Sequence, residues 1–222
     1  MGRIFALGLL GTLASASLAF AQSGSIAGTI TTTAKGAAPL RVTFDQKVCG
    51  DQLPDEAIVV DAQGRLANAV VVLAGVKRQH PTEASVVNEK CRFVPRVQLI
   101  GPKASVRTTS KDPILHTTNA QLENGRTLFN VAVPMPGITI TKAIRASGNV
   151  RVICNTHPWM RGWIVATSDA AAISRADGRF SIDNVPAGTY DLRVWHEALQ
   201  GAPQKVTVSA GKAAEVTFTL SP

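Results

Sequence analysis

The segment Cys154-Asn155-Thr156-His157-Pro158-Trp159-Met160 places a thiol, an imidazole and a thioether on one short stretch, in the order C-x2-H-x2-M. That donor set suits copper: thiolate and thioether are soft ligands, and imidazole is a good ligand for the same metal. Two His and one Cys in a trigonal plane, with a weak axial Met, make a blue-copper site for electron transfer. Zinc prefers four N, S or O donors, for which Met is a poor substitute. A binuclear copper centre would require a second Cys, which the loop lacks. The loop supplies three of the four ligands of a mononuclear site, so a second His must come from His80, His116 or His196. His116 is the best placed. It ends the run Asp112-Pro113-Ile114-Leu115-His116, after a predicted strand, with room for a few antiparallel strands before Cys154.

These donors need a rigid frame, and strand-type alternation dominates the chain. Residues 70–73 form a short buried run. Residues 92–100 alternate, with Pro95 interrupting them, which marks an edge or a bulge. Residues 104–109, 127–133, 137–144, 150–154 and 162–167 read as further strands. Short strands broken by Gly, Pro, Asn and Asp predict an all-β sandwich or barrel. No helix is expected beyond a single turn within 115–123.

Residues 67–168 resemble the cupredoxins, the plastocyanin- and amicyanin-like electron carriers. The loop CNTHPWMRG at 154–162 and the early run Cys91-Arg92-Phe93-Val94-Pro95 carry the likeness. The resemblance implies a Greek-key β-sandwich holding one type 1 copper through His116, Cys154, His157 and Met160. It also implies that electrons leave through an exposed edge of His157, with Trp159 and Arg161 on the rim that docks a partner. Cupredoxins commonly carry Asn directly after the first His, where it ties the two ligand loops together. Here Thr117 takes that place and Asn119 follows two positions later.

Beyond residue 168 the texture changes. Asp177-Gly178 is a hairpin turn signal, and alternating apolar residues at 180–182, 190–194, 206–208 and 216–220 predict four strands. The run ADGRFSIDNVPAGTYDLRVW resembles the carboxypeptidase regulatory-like, or transthyretin-like, module. That family is a small non-catalytic Ig-like β-sandwich, which implies scaffolding or interaction. So short a segment is small for an independent core. Residues 24–30 look like the module's opening strand. The expected division is therefore 22–66 with 169–222 as one sandwich and 67–168 inserted between the halves. The alternative is two successive units, 22–168 and 169–222.

Residues 1–21 read as a secretory leader: Arg3, an apolar stretch, then Ala19-Phe20-Ala21 as the cleavage site. The expected location is periplasmic or secreted, with no membrane span once the leader is removed. An exported chain with three cysteines leaves one unpaired. Copper on Cys154 leaves Cys49 and Cys91 as the disulfide, worth roughly 4 kcal/mol for a loop of that length. The other two pairings would destroy the metal loop.

The formal net charge is +8, and loss of Arg3 with the leader lowers it by one. The basic residues are scattered and not interleaved with aromatics, which argues against nucleic-acid binding. A basic carrier steered to an acidic redox partner fits this charge. His196 and Glu197 end a predicted strand and alternate to opposite faces, a poor arrangement for a second metal. His80 reads as surface. No catalytic motif occurs, so the chain is not expected to be an enzyme. The expectation is an exported type 1 copper protein for one-electron transfer. The alternatives are copper binding for storage or delivery, and an interaction module with a vestigial site.

Overall fold

Apolar and β-branched side chains at every second position make most of this chain strand. The computed structural model describes residues 23–222, and the expected leader lies outside the described residues. In chain order come β1 (Ser23–Thr32), β2 (Leu40–Arg41), the short helix α1 (Gln46–Cys49), β3 (Gln52–Leu53) and β4 (Val70–Lys77). Next are β5 (Glu83–Glu89), β6 (Arg92–Val94), β7 (Val97–Ile100), β8 (Ser105–Ser110), β9 (His116–Leu122) and β10 (Thr127–Val133). They are followed by β11 (Ile140–Ala143), β12 (Gly148–Ile153), β13 (Arg161–Ala166) and β14 (Asp169–Ile173). The last are β15 (Arg179–Pro186), β16 (Gly188–Trp195), β17 (Gln204–Val208) and β18 (Ala213–Leu220). Among the described residues the fold is all-β apart from α1, as the periodicity predicts. Among the described residues, no helix is long and apolar enough to cross a membrane.

Two sandwiches account for nearly all of it. In the first, a sheet ordered β10-β9-β12-β13-β7 faces one ordered β11-β8-β5-β6. Val86, Phe93 and Val106 from one layer meet Ala120, Val150, Val152 and Ile164 from the other. In the second, β15-β1-β18 faces β14-β4-β16-β17, closing over Ile26, Ile30, Leu73, Leu192 and Phe218. Two segments lie on the far side of the expected boundaries. Val42, Cys49 and Leu53 pack into the first core, whereas β4 pairs with β14 and β16 of the second sandwich. The cause is local. Cys49 is tied to Cys91, and β4 buries Val71 and Leu73 only against the second layer.

Pro95 is where the chain changes sheets, since β6 is an edge of one layer and β7 an edge of the other. The turn at Asp177-Gly178, with Gly178 at φ +70°, is tight, as Asp-Gly predicts. It joins strands of opposite layers, however, and not neighbours in one sheet. The turn of helix expected within 115–123 is instead the strand β9, and α1 was not foreseen.

The sandwiches meet through Val70, Val97 and Val165, flanked by Trp163 and Trp195. These two indoles pack edge to face at 5.0 Å. Beside them the Arg96 guanidinium donates to both Glu197 carboxylate oxygens, at 2.7 and 2.9 Å. Glu197 therefore serves the junction. His196 is buried there, with Nδ1 accepting the Ala198 amide at 3.3 Å. Burial, opposed by Glu197 and aided by Arg96, holds the His196 imidazole below its ordinary pKa. His80 is half-buried and bonds the Asp169 carbonyl through Nε2 at 2.7 Å, so it is not plain surface.

Candidate metal centre

Strand parity brings the donors together. Val150 and Val152 of β12 face the core, and Cys154 continues that alternation one step past the strand end. In the neighbouring strand β9, His116, Thr118 and Ala120 are the buried even-numbered set. Because β9 and β12 are paired, Ala120 opposite Val152, the two series put His116 and Cys154 at the same end of the sandwich. The hairpin from β12 to β13 then returns His157 and Met160. The Met160 amide donates to the His157 carbonyl at 3.0 Å, and the Cys154 amide to the Met160 carbonyl at 3.4 Å.

The result is a closed cluster. One ligand atom each from His116, Cys154 and His157 lies within 4.8 Å of the others, and all three residues are buried. Cys154 Sγ is 3.7 Å from His157 Nδ1, and the His116 and His157 rings are 4.6 Å apart. Met160 is buried in the same core. His116 Nδ1 is buried without a hydrogen-bond partner, while its Nε2 is 3.0 Å from Asp112 Oδ2. A buried nitrogen left unpaired is costly, and a metal ion satisfies it. The donor set fits copper on these grounds.

Thr117 links the two ligand segments. Its amide donates to Cys154 Sγ at 3.3 Å and its hydroxyl is 3.7 Å from the same sulfur. The hydroxyl also accepts the Asn155 amide at 2.7 Å. Asn119 adds a bond from Nδ2 to Asn155 Oδ1 at 3.0 Å. The tie expected of an Asn after the first His is thus made by Thr117 and Asn119 together. Burial on its own would raise the Cys154 pKa. The His116 imidazole, the Thr117 amide and His157 outweigh it and bring the thiol down to about 5. A lowered pKa favours the thiolate, the form that binds metal.

The outer edge departs from expectation. His157 is 0 % exposed. Its Nε2 lies 3.1 Å from Asp45 Oδ2, and the Phe44 ring stacks on it at 5.3 Å and 25°. Trp159 is half-buried against Phe44 and His157, each at 5.2 Å. Phe44, at 41 % exposed, is the aromatic that reaches solvent. Arg161 is exposed, and its carbonyl accepts from Arg96 at 3.4 Å.

Cys49 is bonded to Cys91, and Cys154 is free and buried. The disulfide fixes α1 and the preceding Phe44-Asp45 against the first sandwich. Sequence reasoning missed Phe44, Asp45 and Asp112. Asp112 lies four residues before His116, a spacing that could have flagged it; nothing near the loop points to residues 44 and 45.

Comparison with curated proteins gave no match. Part of the chain is similar to solved structures. A purple cupredoxin from Nitrosopumilus maritimus is 20% identical, covering 38% of this chain and 99% of that one, at a TM-score of 0.34. Amicyanin from Paracoccus versutus is 12% identical, covering 44% and 97%, also at 0.34. A Cu-containing nitrite reductase from Thermus scotoductus SA-01 is 21% identical, covering 42% of this chain and 24% of that one, at 0.32. Among protein families, residues 133–221 match the carboxypeptidase regulatory-like domain, a stretch that includes β11–β13 of the first sandwich and ends with β14–β18 of the second.

Proposed function

We propose that His116, Cys154, His157 and Met160 hold one copper ion in a type 1 site, and that the protein carries single electrons between redox partners. The observation that supports this best is the buried convergence of the Cys154 sulfur with two imidazoles, one of which has a buried, unpartnered Nδ1. Bound copper supplies the one-electron chemistry. The chain's own residues do the rest. Thr117 donates to the sulfur. Asp112 and Asp45 orient the two imidazoles from Nε2. The apolar core excludes water. The reading is of a carrier and not a catalyst, exported from the cell and meeting an acidic partner. The second sandwich would serve docking or scaffolding, and the division into two such units is part of the proposal.

A second reading, copper storage or delivery, is favoured by one observation: His157 is wholly covered, where a carrier would present its edge. Reversible redox cycling without loss of metal separates the two.

The test is titration of the purified metal-free chain with Cu(II), followed by visible absorption and electron paramagnetic resonance. One equivalent should give an intense thiolate-to-copper band, absent in Cys154→Ser. A Cys154→Ser protein with the same colour would overturn the assignment.

A further inference from the structure

Each candidate imidazole is held from behind by a carboxylate, and each of the two aspartates accepts the amide of one cysteine of the same disulfide. Asp112 accepts the Lys90 and Cys91 amides at 2.8 Å each and meets His116 Nε2 through Oδ2. That support lies within the first sandwich, at the turn from β5 to β6. The other is remote in sequence. Asp45 meets His157 Nε2 through Oδ2 at 3.1 Å, while its carbonyl accepts the Val48 and Cys49 amides at 2.9 Å each. The disulfide sulfurs of Cys49 and Cys91 lie within 4.8 Å of a His157 nitrogen, and the Cys91 sulfur lies equally near Asp112 and His116.

Asp45 has a left-handed backbone, φ +54°. A non-glycine residue stays in that region only when its surroundings over-determine it. Here the α1 amides and the Cys49–Cys91 bond hold it on one side and His157 on the other. Phe44, stacked on the same ring, covers what Asp45 leaves open.

We infer that Asp45, pinned by the Cys49–Cys91 bond, is a positioning residue that fixes the His157 ring for the copper site and closes its outer edge together with Phe44. The inference rests on the copper reading above. An imidazole donating its Nε2 proton to a carboxylate keeps Nδ1 as the free lone pair and gains basicity. Nδ1 is the atom 3.7 Å from Cys154 Sγ, so the nitrogen left free is the one facing the other candidate donor. A more basic ligand favours the oxidised metal and so lowers the reduction potential. Closure by Phe44 makes its ring, and not the imidazole edge, the surface that a partner meets.

Asp45→Asn and Asp45→Ala test this in the full chain, with two readouts. In the metal-free protein, nitrogen NMR should find His157 protonated at Nε2 in the parent and in tautomeric exchange in Asp45→Ala. In the copper-loaded protein, both variants should have a higher potential by voltammetry. Asp45→Ala should also bind copper about 10- to 100-fold more weakly in competition with a chelator. Asp45→Asn keeps an acceptor oxygen, so it guards against misfolding of the alanine variant and should retain metal better. An unchanged His157 tautomer together with an unchanged potential would overturn the inference while leaving the copper reading intact. A parent chain that locks the tautomer but gives no thiolate-to-copper band would overturn the copper reading while leaving the placement of Asp45 intact.

Discussion

Thr117 touches Cys154 Sγ through its amide at 3.3 Å and through its hydroxyl at 3.7 Å, and so couples the first residue pair of β9 to the loop that follows β12. Amide donation to a thiolate stabilises the charge, while the hydroxyl also satisfies the Asn155 amide at 2.7 Å. Thr117 thus ties both sides of the site, with Asn119 adding its bond to Asn155.

Thr117→Val tests that tie, because it keeps the amide and the β-branched shape but removes the hydroxyl. The Asn155 amide then loses its acceptor. Chemical unfolding should show a loss of about 1 kcal/mol, and the thiolate-to-copper band should shift. A variant with parental stability and an unmoved band would assign the tie to the backbone amide alone.

Met160 is buried beside the triad, at the end of the loop that begins with Cys154. As a weak axial ligand it should tune the metal more than hold it. Met160→Leu is therefore expected to retain copper and colour and to show a raised potential in voltammetry. An identical potential would make Met160 a core residue only.

The Cys154 thiol titrates near 5 in the folded chain, against 9.0 for an ordinary thiol. Between those values the folded state binds fewer protons than the unfolded one, so stability rises with pH. The contribution is complete above about pH 9, shrinks as pH falls and is gone below about 5. Urea unfolding of the metal-free protein across that range should show this slope in the parent and lose it in Cys154→Ser. Parallel pH profiles for the two would mean that the thiol is not ionised.

The donor loop was legible because its three ligand types stand close together in sequence, and strand parity was legible wherever valines alternate, as in β12. The strand β9 was not. Its residues His116 to Leu122 are mostly polar and read at most as a single turn of helix. It is a strand because Thr118 bonds Thr108 across the two layers at 2.8 Å, and because β10 and β12 flank it. Tertiary pairing, and not local propensity, decides it. Residues 44–49 were opaque for a different reason. A disulfide and one carboxylate place them, and a sequence lists cysteines and acids without saying what lies beside them. The covered edge of His157 followed from that gap.

Removing the Cys49–Cys91 bond separates two consequences of that placement. The cysteines are 42 positions apart, and a cross-link of that span stabilises a chain by about 4 kcal/mol in the loop-entropy model. A paired Cys49→Ala, Cys91→Ala variant should lose stability of that order in chemical unfolding. If the bond also pins Phe44 and Asp45 over His157, the same variant should surrender copper to a chelator faster and leave His157 open to solvent. Hydrogen exchange at the α1 amides, measured beside copper loss, distinguishes the two effects. Faster exchange with faster metal loss identifies the bond as the fastening of the cover. A drop in stability with metal retention unchanged would reduce it to a staple of the first sandwich.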